Sequence, residues 1–343
     1  MTPRVVLVTG VGGYLGGNLA ARLAADPDIE RVLGVDTVPP PKDVVRSMGR
    51  AEFVRADIRN PLIAKVITSA NVDTVVHAST TANPAGPARR TVLKELNVIG
   101  TMQLLAACQR APSLRRLVVK STAAVYGASA RSPAVFAEGD TPKDIGSSGY
   151  AKDAVEVEGY VRGFARRRPE VSVATLRLAN VIGPNVDTVL TRYFALPVVP
   201  TVLGFDARMQ LLHSEDALAV LEQATRSDIA GVFNVAGDGV LMLSQAIRRA
   251  GRLPLPVLRQ ALPAAGRVLR GARLVDFSAD HVRYLNYGRV LDTTRLKAEF
   301  GFTPRWTTRQ AFDDYVSGSG LRPVFTPALL AAARRRVLQG TRS

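Results

Sequence analysis

Two features near the amino terminus have the residue types and spacing needed to bind a dinucleotide. Gly10, Gly13 and Gly16 lie between an apolar run and a helical pattern. Glycines there let the main chain approach a pyrophosphate closely, and the following helix offers it free N–H groups and partial positive charge. Asp36 ends the next apolar run, twenty residues after Gly16, where a carboxylate can accept hydrogen bonds from an adenosine ribose. We therefore expect NAD rather than NADP; the alternative is that Asp36 only caps the next loop.

These residues must be positioned by a sheet of parallel strands. Strand-like runs alternate with helical patterns from Val5 to Asn180, and the strand-like runs are "VVLV", "RVLGVD", "AEFVRAD", "VDTVVHAS", "RRLVVKST" and "SVATLRLAN". Parallel strands need crossovers through helices, so the alternation predicts an α/β fold, a Rossmann-like doubly wound parallel sheet covered on both faces.

After Asn180 the pattern loosens into a stretch rich in Pro and Val. We expect an NAD-binding domain over residues 1–180, a smaller substrate lobe over 181–320 that is interleaved with the sheet, and a basic helix or tail over 321–343.

Composition narrows the class of protein. The 343 residues have a net charge of +16, but the arginines fall in short separate groups without a basic stripe of interleaved aromatics. A solvated basic surface with clamps for an anionic ligand is favoured, and no nucleic acid is expected. The alternative is contact with an anionic membrane surface through the carboxyl-terminal helix "TPALLAAARRRVLQGTRS".

Localisation and metal content follow from what the sequence lacks. No apolar run is long enough to span a membrane and no signal-peptide pattern opens the chain, so we expect a cytoplasmic protein. Cys108 is the only cysteine and reads as a buried core thiol, and no metal site is expected.

Several ordered motifs carry a family resemblance. They are "ADIRN", "VVHAST", "LNVIGT", "KSTAAVYG", "LRLANVIGP", "QLLHSEDAL" and "RVLDTTRLKAEFGFTPRW". With the glycine spacing they resemble, over nearly all of the chain, the extended short-chain dehydrogenase/reductase family. Within that family they are most similar to the nucleotide-sugar epimerases and dehydratases typified by UDP-glucose 4-epimerase.

The resemblance implies an NAD cofactor, a nucleotide-sugar or related anionic substrate, and a homodimer. It assigns the cofactor to Gly10, Gly13, Tyr14, Leu15, Gly16, Asp36, Asp57, Ile58, His77, Ala78, Ser79, Asn97, Ser121 and Lys152. It points to Asn180 and His213 for the substrate, although His213 could equally be a structural histidine. Arg208, Arg283 and Arg289 are candidates to hold a diphosphate, since one guanidinium group can donate to two phosphate oxygens at once. The alternative for each is an ordinary surface arginine.

The resemblance also implies a catalytic hydroxyl, here Thr122, and a Tyr and a Lys four residues apart on one helix face. In "DIGSSGYAKDAVE" the lysine is Lys152, and counting back four residues places Ser148 at the tyrosine position. Tyr150 would be rotated by about 200° away from the lysine face if the segment is helical. If the glycine-rich residues before Lys152 are not yet helical, Tyr150 could instead turn inward.

Three hypotheses follow. The first is an NAD-dependent epimerase or dehydratase in which Thr122, Lys152 and either Tyr150, a bound water or a second-lobe side chain move the proton. The second is a non-catalytic NAD(H) sensor or scaffold of the same fold. The third is a membrane- or nucleic-acid-associated protein that binds through its basic surface and keeps only a vestigial cofactor site. The intact glycines, together with Asp36, Asp57 and Lys152, favour the first two hypotheses.

Overall fold

The computed structural model describes residues 2–40, 42–80, 87–141, 145, 149–258 and 279–324. Its strands are β1 Val5–Thr9, β2 Arg31–Asp36, β3 Glu52–Arg55, β4 Thr74–His77, β5 Arg116–Thr122, β6 Ser172–Leu178, β7 Asn180–Ile182, β8 Val198–Val202, β9 Arg208–Met209, β10 Leu211–His213, β11 Gly231–Val235, β12 Leu241–Met242, β13 Leu253–Val257 and β14 Gly288–Arg289.

The helices follow the same chain order. They are α1 Tyr14–Ala25, α2 Lys42–Ser47, α3 Ile63–Ser69, α4 Pro87–Lys94, α5 Gly100–Gln109, α6 Tyr150–Arg167, α7 Val189–Ala195, α8 Ser214–Arg226, α9 Leu243–Arg249, α10 Ala279–Tyr287, α11 Thr294–Ala298 and α12 Thr308–Gly318. A π-helical turn, Glu95–Ile99, joins α4 to α5, and a 3₁₀ turn, Ala123–Tyr126, follows β5.

Seven strands form one parallel sheet in the order β11-β6-β5-β4-β1-β2-β3. Its central strands are rich in β-branched residues, and β4 is buried along its whole length because helices cover both faces. Helices α1 and α8 pack on one face, and α3, α5 and α6 on the other. The predicted doubly wound sheet is confirmed.

A smaller lobe packs beside the carboxyl ends of these strands. It comprises three small sheets, β10-β7, β12-β9-β14 and β13-β8, with α7, α9, α10 and α12 around a separate apolar core. Strand β11 and helix α8 lie after Asn180 in sequence but belong to the main sheet, so the two parts of the chain are interleaved. The expected domain boundaries stay predictions, and residues 325–343 of the basic helix or tail predicted over 321–343 lie outside the described residues.

Two further expectations concern single features of the chain. Cys108 is fully buried in the core beneath α5, and this burial raises the pKa of its thiol to about 12. Its predicted place in the core is confirmed. Within the part of the chain that the structure describes, no helix is both long and apolar enough to cross a bilayer.

Candidate functional site

A cavity of about 520 Å³ opens where the main sheet meets the smaller lobe. It is in the size range of ligand sites and lies at the carboxyl ends of the parallel strands, where folds of this class bind ligands. The main-sheet side includes the glycine turn, Asp36, Ile58 and the ends of β4 and β5. The other wall includes Asn180, Asp187, Thr188, Tyr193, His281, Tyr284 and Leu285.

The turn between β1 and α1 requires glycine at two positions. Gly10 has a φ of +77°, and a Cβ on it would lie 2.5 Å from the Ser79 Cα atom. A Cβ on Gly16 would lie 2.3 Å from the Gly10 carbonyl oxygen, so the helix packs directly on the turn. Both glycines are therefore required by close backbone packing within the turn, and Gly10, Gly13 and Gly16 line the cavity.

The amino terminus of α1 faces this cavity. No side chain caps the helix and its first turn contains no acidic residue, while Tyr14 and Leu15 line the cavity wall. The first N–H groups and the positive end of the helix dipole are thus available to an anion, which is the arrangement a pyrophosphate requires.

Asp36 lies beside the glycine turn at the end of β2. Its Oδ2 atom accepts a hydrogen bond from the Gly12 N–H at 3.0 Å. Its Oδ1 atom accepts from the N–H groups of Thr37 and Val38 at 2.7 and 3.3 Å. The carboxylate lines the cavity and is held rigidly by its backbone partners, and Oδ2 retains a lone pair for a ligand hydroxyl.

The other positions assigned to a cofactor divide into two groups. Ile58, Ala78, Ser79 and Ser121 line the cavity. Asp57, His77, Asn97 and Lys152 are not among its lining residues. The Asp57 carboxylate instead accepts from Arg59 Nη2 at 2.6 Å, and these hydrogen bonds hold the pKa of Asp57 below its ordinary value.

His77 supports the site from behind. Its Nδ1 lies 2.9 Å from the Thr9 hydroxyl, and its Nε2 lies 2.8 Å from the Thr101 hydroxyl. Because Thr101 donates to the Asn97 carbonyl, its oxygen must accept from Nε2–H, which fixes a neutral ring with the proton on Nε2. Burial, and secondly the charge of Lys120, lower the pKa of His77 to about 3. The neutral ring therefore links β1 to α5 through the Thr9 and Thr101 hydroxyls.

Tyr150 points into the cavity and joins a cluster of hydroxyl groups. Its phenol hydrogen-bonds to the hydroxyls of Thr122 and Thr80, and all three residues line the cavity. Burial raises the pKa of Tyr150 to about 12, against the opposing effect of the two hydrogen bonds. A phenol, a neighbouring hydroxyl and an adjacent cofactor turn provide the groups needed to exchange a proton with a substrate alcohol.

Tyr150 faces inward because of where its helix begins. Helix α6 starts at Tyr150, and its cap residue Gly149 has a φ of +136°, a conformation that side-chain-bearing residues rarely adopt. A Cβ on Gly149 would also lie 2.4 Å from Asp280 Oδ2, so a side chain here would displace the Asp280 carboxylate. A helical count back from Lys152 therefore does not extend to position 148. Ser148 lies outside the described residues.

Lys152 is exposed on α6, between the buried residues Ala151 and Asp153, and does not line the cavity. Tyr150, the first residue of the same helix, does line it. The turn before α6 thus places Tyr150 at the cavity, and the catalytic roles expected of Ser148, Tyr150 and Lys152 stay predictions.

The lysine that reaches the cavity is Lys120, on β5. Its ammonium donates to the Thr80 carbonyl at 2.6 Å, and the Thr80 hydroxyl donates to the Lys120 carbonyl at 2.9 Å. Burial lowers the pKa of Lys120 to about 8.

The smaller lobe places only one of the expected substrate residues at the cavity, namely Asn180. Arg208 is exposed on β9, and Arg283 lies 3.7 Å from the Asp280 carboxylate. Arg289 donates to the Gly127 carbonyl at 2.8 Å and lies over the Tyr284 ring. None of the three arginines is among the lining residues.

His213 is held by structural partners away from the cavity. Its Nε2 lies 3.0 Å from the Asp314 carboxylate, its Nδ1 accepts from the Glu215 N–H, and its ring stacks on Trp306. This geometry agrees with the structural alternative for this histidine.

Sequence reasoning missed Thr80, Lys120, His281 and Tyr284, all of which line the cavity. Lys120 had a signal that could have found it, because it is a lysine inside the apolar run "RRLVVKST" and two residues before Thr122. His281 and Tyr284 come from α10, whose place beside the cavity depends on the fold of the smaller lobe. No local pattern marks them.

Comparison with known proteins places this geometry in context. The family model described as the NAD dependent epimerase/dehydratase family matches residues 6–236. An uncharacterised protein of Mycobacterium tuberculosis is 54% identical over 325 residues, which is 95% of this chain and 86% of that protein.

Two solved structures are similar throughout the fold. The dTDP-glucose 4,6-dehydratase of Bacillus anthracis, in complex with NAD, has a TM-score of 0.71 at 18% identity and covers 92% of this chain and 96% of its own. The UDP-glucose 4-epimerase of Thermotoga maritima, with UDP-glucose, has a TM-score of 0.70 at 18% identity and covers 92% of this chain and 98% of its own. At this identity the likeness shows the fold.

Proposed function

Since this chain belongs to the NAD dependent epimerase/dehydratase family, we propose that it is an NAD-dependent enzyme that oxidises and then reduces a carbon of a nucleotide sugar. The observation that carries the proposal is the hydrogen-bonded pair of Tyr150 and Thr122 in the same cavity as the glycine turn and Asp36. A cavity that held only a cofactor would not need a phenol and a hydroxyl converging at the far side of the turn.

The residues present fit NAD. The uncapped amino terminus of α1 can hold the pyrophosphate, and Gly10 and Gly16 leave room where a Cβ would clash with backbone. Asp36 can accept from a ribose hydroxyl, and it would repel the phosphate of NADP. Ile58 and Ala56 supply an apolar wall close to Asp36.

A nucleotide sugar is the proposed substrate because the cavity continues past Tyr150 into the smaller lobe. There Asn180, Thr188 and His281 supply polar groups, and Tyr193, Tyr284 and Leu285 supply apolar surface. The similar Thermotoga maritima enzyme was crystallised with UDP-glucose.

The chain's own residues handle the proton. When a sugar alcohol is oxidised, the Tyr150 phenolate takes the hydroxyl proton, the O–H bond breaks and a C=O bond forms. Thr122 orients the sugar oxygen and the phenol through its hydroxyl. Bound NAD would supply the hydride chemistry for the oxidation of the sugar carbon and its later reduction. On the return step Tyr150 gives the proton back to the oxygen.

The test is turnover of a panel of UDP- and dTDP-linked sugars by the protein loaded with NAD. We expect either transient NADH absorbance or conversion of one sugar to another, read by chromatography. Tight NAD(H) binding with no turnover of any sugar would contradict the enzymatic proposal and support the sensor alternative, in which the fold binds the cofactor without catalysis.

The proposal includes a homodimer. Ile99 and Met102, beside and within α5, and Tyr160 on α6 are 42%, 40% and 36% exposed, although they are large apolar residues on neighbouring helices. Burying them against a second copy would stabilise a dimer. A monomeric mass by light scattering at micromolar concentration would contradict this part.

A further inference from the structure

Lys120 occupies a singular position in the cavity. It is the only lysine or arginine among the lining residues that the structure describes. Its ammonium and the Tyr150 phenol both bind Thr80, the ammonium at the carbonyl and the phenol at the hydroxyl. Lys120, Thr80, Tyr150 and Thr122 therefore form one continuous polar cluster in which Lys120 is the only cationic side chain.

Helix α6 does not supply a cation to this cluster. The position one turn after Tyr150 is Ala154, which is 8% exposed and packs in the apolar core. The neighbouring Asp153 is buried and its negative charge raises the pKa of Tyr150 further. Lys152 is exposed on the helix and does not line the cavity. These surroundings strongly disfavour ionisation of the Tyr150 phenol.

We propose that Lys120, on strand β5, is the cation that stabilises the Tyr150 phenolate, taking the place of a lysine on α6. The inference rests on the proposed function and extends it. Ala154 is consistent with it, because the helix position one turn after Tyr150 carries no charge and packs in the apolar core. Thr80 links the two residues, since its carbonyl accepts from the Lys120 ammonium and its hydroxyl hydrogen-bonds to the Tyr150 phenol.

The charge on Lys120 is available for this role. The described part of the structure shows no salt bridge from Lys120 to a carboxylate, and its one described acceptor is a neutral carbonyl. With a pKa of about 8 the amine is largely protonated at neutral pH. The titratable groups that face the cluster are His77 on β4, Asp153 on α6 and His281 on α10.

The proton balance is simple. Tyr150 loses its proton to solvent while Lys120 is an ammonium, and each charge then favours the other, which lowers the pKa of the phenol and raises that of the amine. The phenolate then takes the proton of the substrate hydroxyl as the C=O bond forms. An opposite charge nearby lowers a pKa by about 1–3 units, so losing it should reduce the phenolate fraction, and the rate at neutral pH, about 10- to 1,000-fold.

The experiment compares four substitutions in the 343-residue chain loaded with NAD. Lys120→Met removes the charge at similar volume. Lys120→Gln removes the charge but keeps a donor for the Thr80 carbonyl. Lys152→Met tests the competing assignment of the cation to α6, and Lys65→Met, at an exposed lysine of α3 that does not line the cavity, is the control. The first readout is the pH dependence of turnover, and the second is ultraviolet difference absorbance of the Tyr150 phenolate, measured against Tyr150→Phe.

We expect both Lys120 variants to raise the pKa of Tyr150 and to recover activity as the pH rises, while Lys65→Met behaves like wild type. If Lys120→Gln has the same Tyr150 pKa and the same turnover as wild type, Lys120 acts only through its hydrogen bond to the Thr80 carbonyl, and the inference is overturned. The same holds if Lys152→Met causes the larger shift. Thermal melting checks that each variant is folded.

The phenolate readout separates this inference from the proposed function. If wild type turns over none of the sugars, the proposed function fails, but the Tyr150 titration still decides whether Lys120 stabilises the phenolate. If wild type is active and Tyr150 titrates identically in all variants, the inference alone fails.

Discussion

Replacing Asp36 should weaken NAD binding and reduce the preference for NAD over NADP. Three backbone N–H groups already bind the carboxylate, two at Oδ1 and one at Oδ2. A carboxylate has about four lone-pair sites, so about one remains, on Oδ2, for a ribose hydroxyl. A hydrogen bond to a charged group is worth about 1.5–3 kcal/mol. Asp36→Ala should therefore raise the Kd for NADH about 10- to 150-fold.

The assay is isothermal titration with NADH and with NADPH. In Asp36→Ala the affinity for NADPH should fall less than that for NADH or should rise, because the like charge is removed. Asp36→Asn keeps an acceptor oxygen without the charge, so it should narrow the difference between the two cofactors with a smaller loss for NADH.

A matched control is available at the other end of β1. The Asp73 Oδ2 atom accepts from the N–H groups of Arg4 and Val5 at 2.8 and 3.0 Å, and Asp73 does not line the cavity. Asp73→Ala loses comparable backbone hydrogen bonds away from the site. An unchanged NADH affinity in Asp36→Ala, or an equal loss in Asp73→Ala, would refute the reasoning.

Two further predictions concern the groups that support the site. Because the pKa of His77 falls to about 3 on folding, the unfolded chain binds more protons between that pH and its ordinary value near 6.5, and stability should fall as the pH drops through this window. The loss should reach about 5 kcal/mol near pH 3. When the free energy of unfolding is measured by denaturant titration at several pH values, it should fall less steeply with decreasing pH in His77→Gln than in wild type. Glu158 Oε2 accepts from the buried Arg177 at 2.7 Å, and Glu158 Oε1 accepts from the Ser121 hydroxyl at 2.6 Å. Glu158→Gln should cost about 3–5 kcal/mol, because the buried Arg177 charge loses its carboxylate and keeps only neutral partners, the Tyr126 hydroxyl and the Glu138 carbonyl. Melting curves of Glu158→Gln/Arg177→Met should show recovery, and an unchanged single variant would contradict this.

The parts of the fold that the sequence could predict depend on local signals. The run Val5–Thr9 is apolar and β-branched, glycines follow it, and an amphipathic helix comes next, so each element is specified by its own residues. The same holds for Asp36, whose place follows from the end of β2. These positions required no knowledge of distant contacts.

The orientation of Tyr150 could not be obtained in this way. It depends on where α6 begins, and that is fixed by the unusual φ of Gly149 and by Asp280, which reaches the Ala151 N–H from 129 residues further along the chain. Counting along a helix assumes that the helix is already formed. The structure shows that it begins at Tyr150.

The arginines illustrate a second limit. Arg208, Arg283 and Arg289 have the right chemistry for a diphosphate, but side-chain chemistry alone does not say which surface a residue faces. In the structure Arg289 binds the Gly127 carbonyl and Arg283 lies near Asp280. Lys120 is the converse case. It lies within an apolar strand, where a structural role is the ordinary expectation, yet its side chain reaches the cavity.

The most direct test of the account compares Tyr150→Phe with Ser148→Ala on a nucleotide sugar that the wild type turns over. Tyr160→Phe, at an exposed tyrosine of the same helix, is the control. We expect Tyr150→Phe to lose about 100- to 10,000-fold in kcat, the usual contribution of a general acid–base group, while the other two variants retain wild-type turnover. Loss of turnover in Ser148→Ala with retention in Tyr150→Phe would contradict the central claim that Tyr150 moves the proton.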